Sequence, residues 1–262
     1  VATDWSLLDK DVIKGGTSVQ GTTHAVSGFA GGLWVATWSR MAVGPWNELV
    51  SGTSLPGLHV LSDRDALLFA AVAAGWAIAS DLDTPRSKAT RVWGRLSATL
   101  TWPLRKVVKH RKQTHYLVLS SLAMAGLVLL AGMYPLAAAL VVAWVTGLAL
   151  TGLDDVLPGD TSHPGTNLTL SAIAGALAYH FSWYPWWMPL AAAVGVAVHI
   201  IGDSLTTAKA PRIGGGRWGL GLFSNGTRGE SIVFVLLCGA IGYWFVYSIG
   251  AAASPLRQLF IS

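Results

Sequence analysis

The sequence predicts an all-α, polytopic membrane protein with about seven transmembrane helices and one short interfacial amphipathic helix. Three observations carry that expectation. Of 262 residues, 52% are hydrophobic and only 12% are charged, about half the charged share of a soluble domain. That is too little charge to cover a water-facing surface. The apolar residues gather in runs close to the length of a bilayer crossing. Many of the 13 tryptophans stand at the edges of those runs, where interfacial anchors belong. Disulfide-scaffold and collagen classes are excluded, because Cys238 is the single cysteine and glycine shows no period of three.

The runs fall at about 25–44, 64–80, 116–133, 135–151, 168–183, 187–202 and 231–252. Met133-Tyr134-Pro135 divides the long stretch from Tyr116 to Thr151, since proline cannot continue a helix from the preceding turn. The segment Ser182-Trp183-Tyr184-Pro185-Trp186-Trp187 reads as an aromatic turn at one interface. Residues 1–23 form a polar cytoplasmic N-terminal segment with no apolar core of a signal peptide, and 24–262 form a single transmembrane domain. With the N-terminus cytoplasmic, all of the 18 basic residues except Arg40, Arg64 and Arg257 lie in cytoplasmic segments, the asymmetry that sets orientation.

Within the 81–115 loop, Val92, Leu96 and Leu100 recur every four residues beside Arg91 and Arg95. The prolines of Thr84-Pro85 and Trp102-Pro103 bound the stretch. This spacing predicts a basic amphipathic helix in the headgroup layer, with a solvated linker helix as the alternative.

Seven polar residues then fall at the cytoplasmic ends of the predicted helices. His24 opens the first span. Asp81 and Asp83 follow the second, His110 and His115 precede the third, and His199 and Asp203 close the sixth. The orientation rests on Lys and Arg alone, so this convergence is independent of it. His199 and Asp203 are i, i+4 on one helix face. Asp81 and Asp83 would point apart on a helix but together in an extended exit before Pro85. Imidazole and carboxylate donors suit zinc, with manganese or iron as alternatives. Seven donors suffice for two ions, or for one ion with supporting partners. A divalent metal there could generate hydroxide from water at neutral pH and clamp an anionic substrate.

Taken singly, each residue has a plainer reading. His24 could be interfacial, Asp81 and Asp83 could cap a helix, and Lys109-His110-Arg111-Lys112 could be a positive-inside cluster. A histidine inside a span, such as His199, is costly enough to suggest function. Asp154, Asp155 and His163 read as a solvated loop, Glu230 as a helix cap, and Gly214-Gly215-Gly216 as a flexible loop matching no phosphate-binding motif. Asn167-Leu168-Thr169 fits the glycosylation pattern but faces the cytoplasm in this topology.

The pattern His24, Asp81-Leu82-Asp83, His110-Arg111-Lys112-Gln113-Thr114-His115 and His199-x-x-x-Asp203-x-x-Thr206 resembles the bacterial YdjM-type, LexA-regulated membrane-bound metal-dependent hydrolases. The resemblance covers about residues 22–210. It departs at Ser80, Thr84, Lys112 and Tyr116, where that family usually has Pro, His, Gly and Ser. It implies metal-dependent hydrolysis in a bacterial inner membrane, and by a distant likeness to zinc phospholipase C, phosphoester chemistry.

The expected function is therefore hydrolysis of a phosphoester in a phospholipid or other amphiphile at the cytoplasmic interface. The expected metal ligands are His24, Asp81, Asp83, His110, His115, His199 and Asp203. Asp81 or Asp83 would act as base and Arg111 would steer the anion. Nothing points to a nucleic-acid partner. A transporter using the same groups would place them near the midplane, and a structural membrane protein would need no metal.

Overall fold

A computed structural model describes residues 18–49, 61–85, 87–108, 113–213, 215–224 and 226–253, with backbone alone at 18–20, 38–49 and 245–253. The described residues are mainly helical. Helix α1 spans Ser18–Leu49, α2 Asp63–Ala79, α3 Arg95–Leu100, α4 Trp102–Val107, α5 Leu117–Gly132, α6 Pro135–Gly152, α7 Pro164–His180, α8 Met188–Leu205 and α9 Arg228–Ala253. Among the described residues, three segments are long and apolar enough to cross a membrane: 63–83, 135–152 and 188–205. At 16 residues, α5 is apolar but shorter.

The surface of α5 shows what solvent the fold expects. Its buried residues are Ser121 and Val128, while Val118, Leu119, Leu122, Leu129 and Leu130 are all more than half exposed. A helix in water turns its leucines inward, so this inverted helix belongs in an apolar solvent.

Helix α2 is the axis of the packing, touching α1, α6 and α8. Its start is fixed by Ser62, whose Oγ accepts from the Asp65 N–H at 3.1 Å and donates to the Asp65 carboxylate at 2.8 Å, a side-chain N-cap. Its alanine-rich body lets neighbours come close. On α1, Gly28 and Gly32 stand one turn apart against it. A methyl group at Gly28 would lie 2.5 Å from the Ala77 methyl, and one at Gly32 would lie 2.8 Å from Ala70 Cα. Small residues at i, i+4 permit such contact where no hydrophobic force drives helices together in lipid.

Helices α6 and α7 are joined by polar contacts. Asn167, fully buried, donates from Nδ2 to the Gly147 carbonyl at 3.0 Å, Thr151 Oγ1 at 3.0 Å and the Thr161 carbonyl at 3.1 Å. Ser171 Oγ donates to Asn167 Oδ1 at 3.3 Å and accepts from Trp93 Nε1 at 3.2 Å. The asparagine of the glycosylation-like triplet is thus a core residue. The aromatic turn between α7 and α8 is likewise fastened, with Tyr184 Oη donating to the Val128 carbonyl at 2.6 Å.

Two expectations need correction. The 81–115 segment holds two six-residue helices, not one amphipathic helix through Val92, Leu96 and Leu100. Gly94, with φ 60°, stops the turns of 87–94, a backbone state glycine adopts without steric cost. Val92 is consequently buried in the core, while Leu96 and Leu100 are exposed. Pro103 does not bound a helix but sits in the first turn of α4, where its missing N–H costs nothing. The second correction concerns the loop after α8. It is a structured hairpin, pairing Ala210 with Trp218. It supplies partners to the end of α8: Leu220 and Leu222 N–H groups donate to the Ser204 and Leu205 carbonyls at 2.8 and 2.6 Å. Backbone amides there complete a helix terminus and do not form an open phosphate cradle.

Candidate metal centre

Four chain segments meet at one end of the bundle. Helix α1 brings His24, a 3-10 turn at Ser80–Asp83 brings Asp81 and Asp83, a second 3-10 turn at Gln113–His115 brings His115, and α8 brings His199 and Asp203. The α2 helix tightens into its 3-10 turn because Thr84, before Pro85, is extended. That geometry differs from the expected extended exit, and it gives the two carboxylates different imidazole partners.

Three donor atoms form a compact triangle. His115 Nε2 and His199 Nε2 are 3.3 Å apart, His115 Nε2 and Asp203 Oδ2 are 3.5 Å apart, and His199 Nε2 and Asp203 Oδ2 are 3.9 Å apart. Asp81 Oδ1 lies 3.8 Å from His199 Nε2. His24 Nε2 lies 3.8 Å from Asp203 Oδ1, the second oxygen of that carboxylate. Two donor groups therefore share His199: His24 with Asp203, and Asp81 with His115. Tetrahedral bonds of 2.0–2.1 Å place neighbouring ligands about 3.3–3.4 Å apart. The observed separations are at or slightly above that value.

Asp83 has a different place. Its Oδ2 lies 3.8 Å from His115 Nδ1, the nitrogen on the opposite side of the ring from the triangle. Thr114 Oγ1 donates to the same oxygen at 2.5 Å and stands 2.9 Å from His115 Nδ1. Thr84 Oγ1 donates to Asp83 Oδ1 at 3.1 Å. Thr114 thus links the Asp83 carboxylate to His115 Nδ1, and a hydrogen-bonded partner on that nitrogen fixes the ring's orientation. Thr114 was not assigned a role from sequence, although it sits beside His115 in the quoted motif.

Burial sharpens the chemistry. His115 and His199 are fully buried, Asp203, Asp83 and His24 nearly so, and the Asp81 side chain is 19% exposed. Three carboxylates gathered away from water require compensating positive charge. The buried imidazole and carboxylate groups could together hold a metal ion, and their separations are compatible with its ligand spacing.

His110 and Arg111 lie outside the described residues. The other acids are held elsewhere. Asp155 accepts a short hydrogen bond from Thr22 and pairs with Lys88 at 3.4 Å. Asp154 accepts from Thr161 Oγ1 at 2.9 Å and from the Ser162 N–H at 2.8 Å. Burial raises the Asp154 proton affinity, but these hydrogen bonds prevail and hold the carboxyl below its usual range. His163 caps α7 through Gly165, and His180 rests on Phe181. Glu230 Oε2 accepts from the Gly226 N–H at 2.6 Å, consistent with capping. It is also buried, and with His24 it lines a small cavity between α1, α8 and α9.

Comparison with protein-family models, curated proteins and solved structures finds no match.

Proposed function

We propose that this chain is a multi-pass membrane hydrolase of the YdjM type, dependent on a divalent metal and acting on the phosphoester of an amphiphile. The single observation that carries the reading is the triangle of His115 Nε2, His199 Nε2 and Asp203 Oδ2, with separations of 3.3 to 3.9 Å. In this proposal seven helices (α1, α2 and α5 to α9) cross a bacterial inner membrane. The distribution of Lys and Arg supports a cytoplasmic position for the cluster.

His24, Asp81, His115, His199 and Asp203 would hold the metal, and Asp83 would orient His115 through Nδ1. When bound, zinc, or manganese or iron in its place, supplies Lewis acidity toward water and toward a phosphoryl oxygen. Asp81 is the most exposed carboxylate of the cluster, so it is the group placed to accept the proton of the attacking water. The water oxygen bonds to phosphorus as the P–O bond to the ester oxygen breaks, and the proton taken up by Asp81 passes to that oxygen, which departs as the alcohol. Arg111 and Lys209 would hold the anionic phosphate during these steps. A lipid or polyprenyl phosphate is the natural substrate, because the cluster lies at helix ends, the depth of headgroups.

Protein purified without added metal is expected to carry zinc, manganese or iron, and to release phosphate or headgroup from a panel of phospholipids and polyprenyl phosphates. Chelator should abolish that turnover. Turnover that survives metal removal would overturn the proposal.

A further inference from the structure

The segment between the Asp81–Asp83 turn and the His115 turn carries a second feature, on its outer side. Arg91, Arg95 and Arg105 line one groove of about 680 Å³, together with Pro85, Thr99 and Trp102. The lining contains no acidic side chain. Among the described residues none of the three arginines is paired with a carboxylate. Arg105 is held in place, donating from Nη1 to Thr101 Oγ1 at 2.7 Å and from Nη2 to the Ala98 carbonyl at 2.9 Å. Those bonds use two of its five donors. Three like charges around one concavity repel each other, and the arrangement becomes favourable when an anion enters it.

The apolar side chains of the same segment identify the source of that anion. Leu96, Leu100, Leu104 and Val107 are exposed at 48%, 59%, 39% and 79%. Trp102 is exposed too, with the Lys106 ammonium 5.3 Å from its ring. Exposed leucines and a tryptophan beside guanidinium groups suit the boundary of headgroups and acyl chains. Anions at that depth are lipid phosphates.

We infer that the groove formed by Arg91, Arg95 and Arg105 binds the phosphate headgroup of an anionic phospholipid. The site does not depend on the metal reading, since it shares no side chain with the His/Asp cluster. Pro85 belongs both to the groove and to the exit from the Asp81–Asp83 turn. A bound lipid therefore braces the segment that carries those acids.

The test is a titration followed by native mass spectrometry. Detergent-solubilised full-length protein is mixed with short-chain phosphatidylglycerol, and separately with short-chain phosphatidylcholine. Wild type is expected to prefer phosphatidylglycerol. The double variant Arg91→Ala/Arg95→Ala should lose about thirtyfold in that preference, since each basic residue near anionic headgroups contributes about fivefold. Arg212→Ala/Arg228→Ala removes the same charge from the other basic loop and should leave the preference intact. If the double alanine variant does not fold, Arg95→Glu at an exposed position is expected to produce the same loss. Equal losses in both double variants would show bulk charge attraction and overturn the site. So would the lack of any preference in wild type, or binding of inorganic pyrophosphate or a short oligonucleotide as tight as that of the lipid.

Discussion

Among the described residues, one buried polar cluster forms around Asn167 and another around His199. Around Asn167 the amide donates at 3.0, 3.0 and 3.1 Å, lengths at which donor and acceptor satisfy each other directly. Around His199 the imidazole–carboxylate pairs stand at 3.5 to 3.9 Å, longer than hydrogen bonds and close to the edge of a metal's coordination polyhedron. The first cluster has neutral partners and glues α6 to α7. The second gathers three acids and three imidazoles from four segments. Burial alone does not separate them, for Asn167 and His199 are both fully buried. Spacing and charge do: one cluster is closed by hydrogen bonds to neutral partners, and the other gathers charged donors that could hold a metal ion.

The largest effect that would break the contrast is loss of the shared imidazole. His199→Ala should lower metal affinity by more than about a hundredfold, beyond the range seen when only an outer partner is lost, and abolish hydrolysis. The thermal midpoint of the metal-free protein should change little. Elemental analysis and a melting curve with chelator present check both halves. Retained metal would place His199 with the structural group.

Asn167→Ala should do the reverse. It leaves the Gly147 and Thr161 carbonyls without their donor, at a cost of about 1–3 kcal/mol in all, while metal content stays at the wild-type level. Denaturant unfolding in detergent measures the first and elemental analysis the second.

A smaller effect tests the carboxylate behind His115. Asp83→Asn should lower metal affinity by about 10–100-fold without emptying the site. A competition assay with a chromogenic chelator reads this directly. A loss as large as that of His199→Ala would make Asp83 a ligand, as the motif resemblance implies.

The smallest concerns pH and the Asp154 loop between α6 and α7. The Asp154 carboxyl is held below its ordinary value of 3.8. Its contribution to stability is therefore fully present above that value, and it is lost as pH falls through the lower folded value. Asp154→Asn should flatten the stability curve below pH about 4 and leave metal binding at neutral pH unchanged. Circular dichroism melts across the acid range test it.

Much of this was legible in the chain. The apolar runs fall on seven long helices of the described residues, close to their bounds at most ends, and three of those helices are long and apolar enough to cross a membrane. Alpha1 is the exception. The run began at about 25, but the helix begins at Ser18, since polarity does not forbid helix where Thr22 is buried among partners. The gathering of His24, Asp81, His115, His199 and Asp203 was readable from their shared position at span edges. Which nitrogen faces which oxygen was not. That depends on a 3-10 turn before Pro85, and a difference of one backbone state over four residues leaves no mark in composition. Gly94 does not announce itself as a helix stop for a related reason: a lone glycine signals a break only once its φ is known.

The interlocked α1 and α2 surfaces at Gly28 and Gly32 bear on how the protein is made. They let the first helical hairpin close as soon as it is synthesised, so His24 and Asp81 reach their final register early. His199 and Asp203 emerge from the ribosome far later, with Asp203 about 180 positions after His24. At typical translation speeds of about 5–20 residues per second, that interval is roughly 9–36 s. During it the early hairpin displays acids and an imidazole but lacks the α8 donors that complete either group. In the proposed reading a metal can be held only once α8 has been made, because both donor groups include His199.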